Sequence, residues 1–167
     1  MSHLAAISPK AIELTFEIGD GWLPIFWSPE QARDIFPLAR ARDGFEVAPL
    51  VRVALGDNVA AARDSLKPSY AFYIGGMGAR SRNFYNDLFA QHGYEAEARV
   101  IQDLFLDGKR DEAAALVPDS FVDQVAFVGP RERIRDRFEA WRESGATTLL
   151  VSTRSVDALR AVAEVAL

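Results

Sequence analysis

The chain has 167 residues, of which 49% are hydrophobic and 26% are charged, proportions typical of one globular domain. The formal net charge of −5 argues against a basic face for nucleic acid, and the absence of cysteine excludes disulfides and thiolate chemistry. The two histidines lie far apart in the sequence, so a catalytic metal is not expected. Because neither a membrane-spanning stretch nor a signal peptide is present, we expect a cytosolic protein.

The chain starts almost at once with an apolar run, Leu4–Ile7, of the kind found in buried parallel strands. Ser8 and Pro9 follow as the N-cap and the first residue of a helix predicted to reach Ile18. A strand at a sheet edge is normally protected by charge, by proline or by a preceding element. Because Leu4–Ile7 has none of these, we expect the second part of a larger βα fold, or a unit completed by another chain.

Two further strand and helix pairs follow. The apolar run Trp22–Trp27 predicts a strand buried on both faces, with its aromatic side chains in the core. A helix begins at Ser28 and is expected to reach about Arg42. Phe45–Leu55 is rich in β-branched and apolar residues and predicts a third strand. The helix after it is expected to end before Pro68.

The next stretch, residues 69–119, has a helical pattern throughout and is too long for an ordinary βα connection. We therefore predict a single domain over 1–167 that carries a helical insertion at 69–119. Gly75 and Gly76 lack the spacing of a dinucleotide-binding motif, and we expect them to let two helices pass closely. His92, near the end of a helical stretch, is expected to be a cation that meets the helix dipole.

The chain after the insertion predicts a helix over Arg131–Ser144, a last strand over Thr147–Thr153 and a terminal helix over Ser155–Ala166. Four strand candidates alternate with helices, which implies an α/β fold with a parallel sheet and right-handed crossovers. Four such units make half of an eight-stranded barrel, which needs about 250 residues. An open doubly wound sheet of four strands is the competing architecture.

Ligands of parallel βα folds bind at the carboxyl ends of the strands. There Ser8 and Lys10 would suit a phosphate or a carboxylate, because free N–H groups, a hydroxyl and a cation converge at a helix start. Ser8 could equally be only a cap, and Lys10 only a solvated charge. Ser152, Arg154 and Ser155 repeat this arrangement after the last strand. No Ser-His-Asp set and no close carboxylate pair is present.

Four segments together resemble the C-terminal half of luciferase-like monooxygenases, and most closely their coenzyme F420-dependent oxidoreductases: Leu4–Pro24, Tyr73–Tyr94, Ile101–Pro118 and Val128–Val151. The resemblance covers nearly the whole chain, and Tyr73–Tyr94 is its most specific part. It implies strands five to eight of a (β/α)8 TIM barrel, with the helical insertion before the last βα unit. It also implies hydride transfer to or from the deazaflavin F420, with FMN as the alternative cofactor.

The resemblance also implies where the cofactor lies. In the family, the segment after strand five lies against the phosphate-bearing tail of the cofactor, and the end of the next strand lines the same region. The implied cofactor-binding residues are Ala6, Ile7, Ser8, Pro9, Lys10, Leu23 and Pro24. Relatives usually carry glycine at the position of Ile7 or Ser8. The family's first four strands have no counterpart here, so neither a ring pocket nor a catalytic residue is carried over.

Three functions remain open at this point. In the first, the chain is part of an F420- or flavin-dependent oxidoreductase and is inactive by itself. In the second, it is a non-catalytic self-associating half-barrel. In the third, it is an α/β module that binds a phosphorylated small molecule. Exposed strand edges at Leu4–Ile7 and Thr147–Ser152 should seek pairing. The expected partner is therefore a second copy, as a homodimer, or an N-terminal half, and neither nucleic acid nor a membrane.

Overall fold

The computed structural model describes residues 2–36 and 42–166. The strands are β1 (His3–Leu4), β2 (Gly21–Trp22), β3 (Glu46–Val47), β4 (Leu50–Leu55), β5 (Ala126–Gly129) and β6 (Leu150–Ser152). The helices are α1 (Pro9–Ile18), α2 (Ala32–Ile35), α3 (Val59–Ala71), α4 (Phe84–Phe89), α5 (Glu95–Leu106), α6 (Arg110–Ala115), α7 (Asp119–Val125), α8 (Arg131–Arg142) and α9 (Val156–Ala166). None of the described helices is long and apolar enough to cross a membrane.

The strands within the described residues pair in parallel, as predicted for an α/β fold. One sheet has the order β1-β2-β3 and the other the order β5-β4-β6. Backbone hydrogen bonds join the two sheets: the amide of Leu50 donates to the carbonyl of Pro24 at 3.0 Å, and that of Thr147 donates to the carbonyl of Val47 at 2.8 Å. The segment Glu46–Leu55 is therefore one nearly continuous central strand, with β1, β5 and β6 as the edge strands.

The strand predicted over Trp22–Trp27 is wrong in its length, because β2 ends at Trp22. Pro24 has no N–H to donate, and Phe26 has a φ of 56°, which takes the backbone out of the extended conformation. The carbonyl of Pro24 still accepts a hydrogen bond, so this segment stays beside the central strand. The first strand is likewise shorter than predicted and covers only His3–Leu4.

The helices agree more closely with the sequence pattern, except at Pro68. Ser8 caps α1 as predicted, and α8 and α9 begin and end within two residues of their expected bounds. The helix end predicted at Pro68 is wrong, because α3 continues to Ala71 and then into a π-helical turn, Phe72–Gly76. An interior proline costs about 3 kcal/mol. The stabilising free energy from burying Tyr70, which is 3% exposed, is of comparable size and offsets this cost.

The helix predicted from Ser28 to Arg42 is seen only in part. The described portion contains α2, Ala32–Ile35, while residues 37–41 of that prediction lie outside the described residues. A helical segment follows β4 and extends to the end of α7. Helices α4, α5 and α6 of this segment lie within the insertion predicted at 69–119.

Aromatic side chains form the centre of the core, as predicted for the WLPIFW run. Trp22, Phe26 and Trp27 are each no more than 1% exposed. Trp27 stacks on Phe36 at 5.3 Å between ring centroids, and its indole N–H donates to the hydroxyl of Ser144 at 2.8 Å. The aromatic run therefore belongs to the packed interior, even though most of it is not strand.

Gly75 and Gly76 let the π-helical turn pass close to α5, which confirms the expectation for these glycines. A Cβ added at Gly75 would lie 2.4 Å from the Cβ of Phe105 and 3.2 Å from the carbonyl oxygen of Ile101. A Cβ at Gly76 would lie 2.5 Å from the ring of Phe105. These contacts are shorter than packed atoms allow, so the close approach depends on the absence of side chains at both positions.

We predict that Gly75→Ala lowers the free energy of unfolding by about 1–3 kcal/mol, because overpacking against Phe105 forces side chain or backbone shifts. Urea unfolding followed by circular dichroism measures this change. Gly56→Ala is the matched control, since nothing lies within 4 Å of its added Cβ, and its effect should stay within about 0.5 kcal/mol. Equal effects of the two substitutions would contradict the close approach.

Candidate functional site

The segments that follow β1 and β2 lie side by side at the carboxyl edge of the sheet. The amide of Leu23 donates to the carbonyl of Leu4 at 3.0 Å. The indole N–H of Trp22 donates to the carbonyl of Ala6 at 2.9 Å. These bonds tie the chain after β1 to the chain after β2. The structure therefore brings together four of the predicted site residues: Ala6, Ile7, Leu23 and Pro24.

These four residues line a pocket of about 300 Å³. Leu50 and Leu150 contribute from the sheet, and Tyr73 and Tyr85 contribute from the helical segment. An apolar wall with two phenol hydroxyls is suited to part of an organic ligand. In the described part of the chain no group of three or more histidine and acidic side chains could hold a metal ion.

Ser8, Pro9 and Lys10 lie beside this pocket rather than in its wall. The hydroxyl of Ser8 accepts from the amide of Ala11 at 3.4 Å, which makes Ser8 the cap of α1. Pro9 and Lys10 are exposed. The first turn of α1 contains no acidic residue. An anion at this helix start would therefore meet the positive end of the helix dipole and the Lys10 ammonium.

The second set of polar residues singled out by the sequence lies after β6. The hydroxyl of Ser155 accepts from the amide of Ala158 at 3.2 Å, so Ser155 acts as a helix cap. The amide of Ser155 donates to the hydroxyl of Thr153 at 3.2 Å, and Arg154 is exposed. These local hydrogen bonds account for Thr153 and Ser155 without a ligand.

The aromatic wall of the pocket rests on Phe26. The rings of Tyr73 and Tyr85 lie 5.0 Å apart, and each lies 6.4 Å from the ring of Phe26. The φ of 56° at Phe26 is unusual for a bulky residue and costs about 1–2 kcal/mol. Burial, with the neighbouring Tyr73 as a second cause, raises the pKa of Tyr85, so its hydroxyl keeps its proton at neutral pH.

Sequence reasoning did not identify Arg52 as a site residue, nor the pocket residues Leu50, Tyr73, Tyr85 and Leu150. Arg52 lies in β4 between two buried valines, and its guanidinium carbon is 5.8 Å and 5.9 Å from the ring centroids of Tyr70 and Tyr73. The available signal was a single charged residue within the apolar strand LVRVAL. The two tyrosines gave no such signal, because they come from a distant part of the sequence.

The prediction that His92 is a cation at a helix end is wrong. Its side chain is 3% exposed, and its Nδ1 lies 2.8 Å from Oε1 of Gln31. Burial lowers the pKa of His92 to about 4, so the ring is neutral at pH 7. The helical stretch turns at Gly93, whose φ is 94°, and continues directly into α5, so His92 does not lie at a solvated helix end.

We predict that stability falls as the pH is lowered from about 6.5 to about 4. The folded state keeps His92 neutral, so in this window the unfolded state binds more protons, and the loss is on the order of 3 kcal/mol. His92→Phe should remove most of this slope in urea unfolding measured across the window. His3→Gln, which removes the only other histidine, should keep it. An unchanged slope in His92→Phe would show that other groups cause the loss.

A model of luciferase-like monooxygenases matches residues 3–148 of the chain. A Mycobacterium tuberculosis protein assigned as a coenzyme F420-dependent oxidoreductase, Rv3520c, is 36% identical over 170 residues. This alignment covers 96% of the chain and 49% of the relative. The chain therefore spans about half the length of the curated relative that it matches.

Two solved structures share the fold. The coenzyme F420-dependent tetrahydromethanopterin reductase from Methanopyrus kandleri superposes with a TM-score of 0.68 at 17% identity, over 96% of this chain and 47% of the reductase. An F420-dependent secondary alcohol dehydrogenase in complex with an F420–acetone adduct superposes with a TM-score of 0.64 at 13% identity, over 96% of this chain and 45% of the dehydrogenase. At these identities the likeness concerns the fold alone.

Proposed function

Because the chain belongs to the luciferase-like monooxygenase family, we propose that it forms part of a coenzyme F420-dependent oxidoreductase. Bound F420 would supply the hydride donor or acceptor, and the chain would bind and orient it against an organic substrate. F420 is preferred to FMN because the curated relative at 36% identity is assigned as F420-dependent. The cytosolic location expected from the sequence is part of the same proposal.

The observation that carries this proposal is the meeting of Ala6, Ile7, Leu23 and Pro24 around one pocket next to the start of α1. The residues fit a cofactor with a phosphate-bearing tail. The N-terminal N–H groups of α1, the Ser8 hydroxyl and the Lys10 ammonium would bind the phosphate. The apolar wall of the pocket would exclude water from the part of the cofactor next to it.

We propose further that β1, β2, the central strand and β6 correspond to strands five to eight of a (β/α)8 barrel. The parallel order of these strands supports this correspondence. So does the 47% share of the reductase structure that the chain covers. Strands one to four would come from a second copy of this chain or from an N-terminal half, and catalysis would require them.

The outer edges of the sheet indicate how this pairing would occur. Backbone N–H groups of a strand point alternately to its two sides. The carbonyl of Leu4 bonds to β2, and the amide of Leu150 bonds to the central strand. The amides of Ala5 and Val151 therefore point outward, and that of Ala5 donates no hydrogen bond to a described backbone group. Such edges are templates for a further strand.

We expect a dimer at micromolar concentration, measured by light scattering behind a sizing column. Ala5→Pro removes an outward N–H with little loss of packing, because Ala5 is exposed, and should shift the protein towards monomer. Ala5→Ser keeps the N–H and is the control. A folded wild-type monomer, or a dimer indifferent to Ala5→Pro, would contradict pairing through β1.

We expect F420 to bind the assembled protein and Lys10→Met to weaken this binding about fivefold to tenfold, through loss of a charge-assisted contact to phosphate. Titration calorimetry measures the affinity, with FMN as the alternative ligand. Lys109→Met, at an exposed lysine that does not line the pocket, is the matched control. A deazaflavin nucleoside without the phosphate tail should bind equally to wild type and Lys10→Met. A comparable loss for this nucleoside would contradict a tail contact at Lys10.

A further inference from the structure

We propose that Arg52 recognises the anionic group, carboxylate or phosphate, of the substrate. This inference rests on the proposed function, because it takes the pocket as part of an oxidoreductase site. It assigns a substrate class that carries an apolar body and one anionic group. Three observations carry it: the face of the sheet on which Arg52 lies, its lack of an acidic partner, and the apolar surface next to it.

The position of Arg52 follows from the alternation of side chains along β4. Val51 and Val53, at 0% and 4% exposure, point into the core, so Leu50 and Arg52 share the opposite face. Leu50 pairs in register with Leu150, and both line the pocket. Arg52 pairs in register with Ser152, one step closer to the carboxyl ends of the strands. A cation and a hydroxyl therefore adjoin the apolar pocket.

The charge of Arg52 is not neutralised by the described residues. No carboxylate of the described chain lies within 4 Å of its guanidinium, and none of its N–H groups donates a hydrogen bond to a described residue. Two other arginines of low exposure are paired: Arg63 with Asp123 at 2.6 Å, and Arg137 with Glu30 at 2.9 Å. Arg52 differs from them in having its guanidinium next to two aromatic rings instead of a carboxylate.

The two tyrosine rings hold Arg52 in place without using its donors. Cation–π contacts with Tyr70 and Tyr73 position the guanidinium without a hydrogen bond from it to a described residue. The N–H groups lie in the plane of the guanidinium and match the two oxygens of a carboxylate or a phosphate. A side chain that is already positioned loses less conformational entropy when it binds such a group.

The cofactor tail is a second source of an anion, and the geometry favours the substrate. The tail is proposed to lie at Ser8 and Lys10, after β1 at one edge of the sheet. Arg52 lies on the central strand, which β2 separates from β1. The pocket wall between them is apolar, so the two positively charged positions form separate anion sites.

The test uses benzoate as an aromatic carboxylate probe and benzyl alcohol as its neutral counterpart, titrated into the full chain. The Arg52 Nε–Hε resonance in ¹⁵N-edited NMR reports on the guanidinium directly and should shift with benzoate but not with benzyl alcohol. Arg52→Met should weaken benzoate binding at least tenfold. Arg52→Lys should retain part of it, because the charge stays while the planar donor pair is lost.

Arg110→Met is the matched control, because Arg110 also lies over an aromatic ring, that of Phe105 at 5.4 Å, but belongs to α6, which contributes no residue to the pocket. It should leave benzoate binding unchanged. Urea unfolding checks that each variant is folded. If Arg52→Met does not fold, the Arg52 Nε–Hε resonance of the wild type still tests the inference. Absence of a benzoate shift in wild type, or equal affinity in folded Arg52→Met, would overturn the inference.

F420 titrations separate this inference from the proposed function. If Arg52→Met weakens F420 but not the tail-free deazaflavin nucleoside, Arg52 binds the cofactor tail and the substrate assignment is overturned. If the chain binds benzoate through Arg52 but binds no F420, the proposed cofactor fails while anion recognition stands. If F420 binds and Arg52→Met leaves benzoate binding intact, the proposed function stands and the Arg52 inference is overturned.

Discussion

The central strand, Glu46–Leu55, is the element on which the rest of the structure depends, because it is hydrogen-bonded on both sides. β2 and β5 pair with successive parts of one side, and β6 pairs with the other. Its alternation buries Val51 and Val53 and turns Leu50 and Arg52 towards the pocket. A shift of register by one residue would place Arg52 in the core and the valines in the pocket. The charged side chain therefore helps to fix the register that builds the site.

The second constraint is the aromatic junction between the sheet and the helical segment. Phe26 adopts a left-handed backbone conformation that an isolated phenylalanine would avoid. Its ring packs at 5.2 Å from Phe121 and at 5.8 Å from Tyr70, so burial in the junction outweighs the local strain. The same junction positions Tyr73 and Tyr85 against the pocket. The pocket wall and the docking of the helical segment therefore depend on the same contacts.

Sequence patterns predicted the helices well because their signals are local: Ser8 before Pro9 is enough to place the start of α1. Strand ends were less predictable, because the backbone conformation of Phe26 is set by rings that reach it from distant segments. His92 was misassigned for the same reason, since only the fold brings Gln31 to it. Arg52 was missed because an isolated charge in a strand acquires its meaning from the face on which it lies.

Ligand binding and completion of the sheet are coupled through β6. Leu150 lies on this edge strand, lines the pocket and remains 38% exposed, so the pocket is open beside an unpaired edge. A strand that pairs with the outer side of β6 would lie next to Leu150 and cover part of this opening. A ligand that touches both the pocket and the added strand binds the paired state more tightly than the free chain. By mass action the ligand then strengthens the pairing of the strands by the same factor by which the pairing strengthens ligand binding.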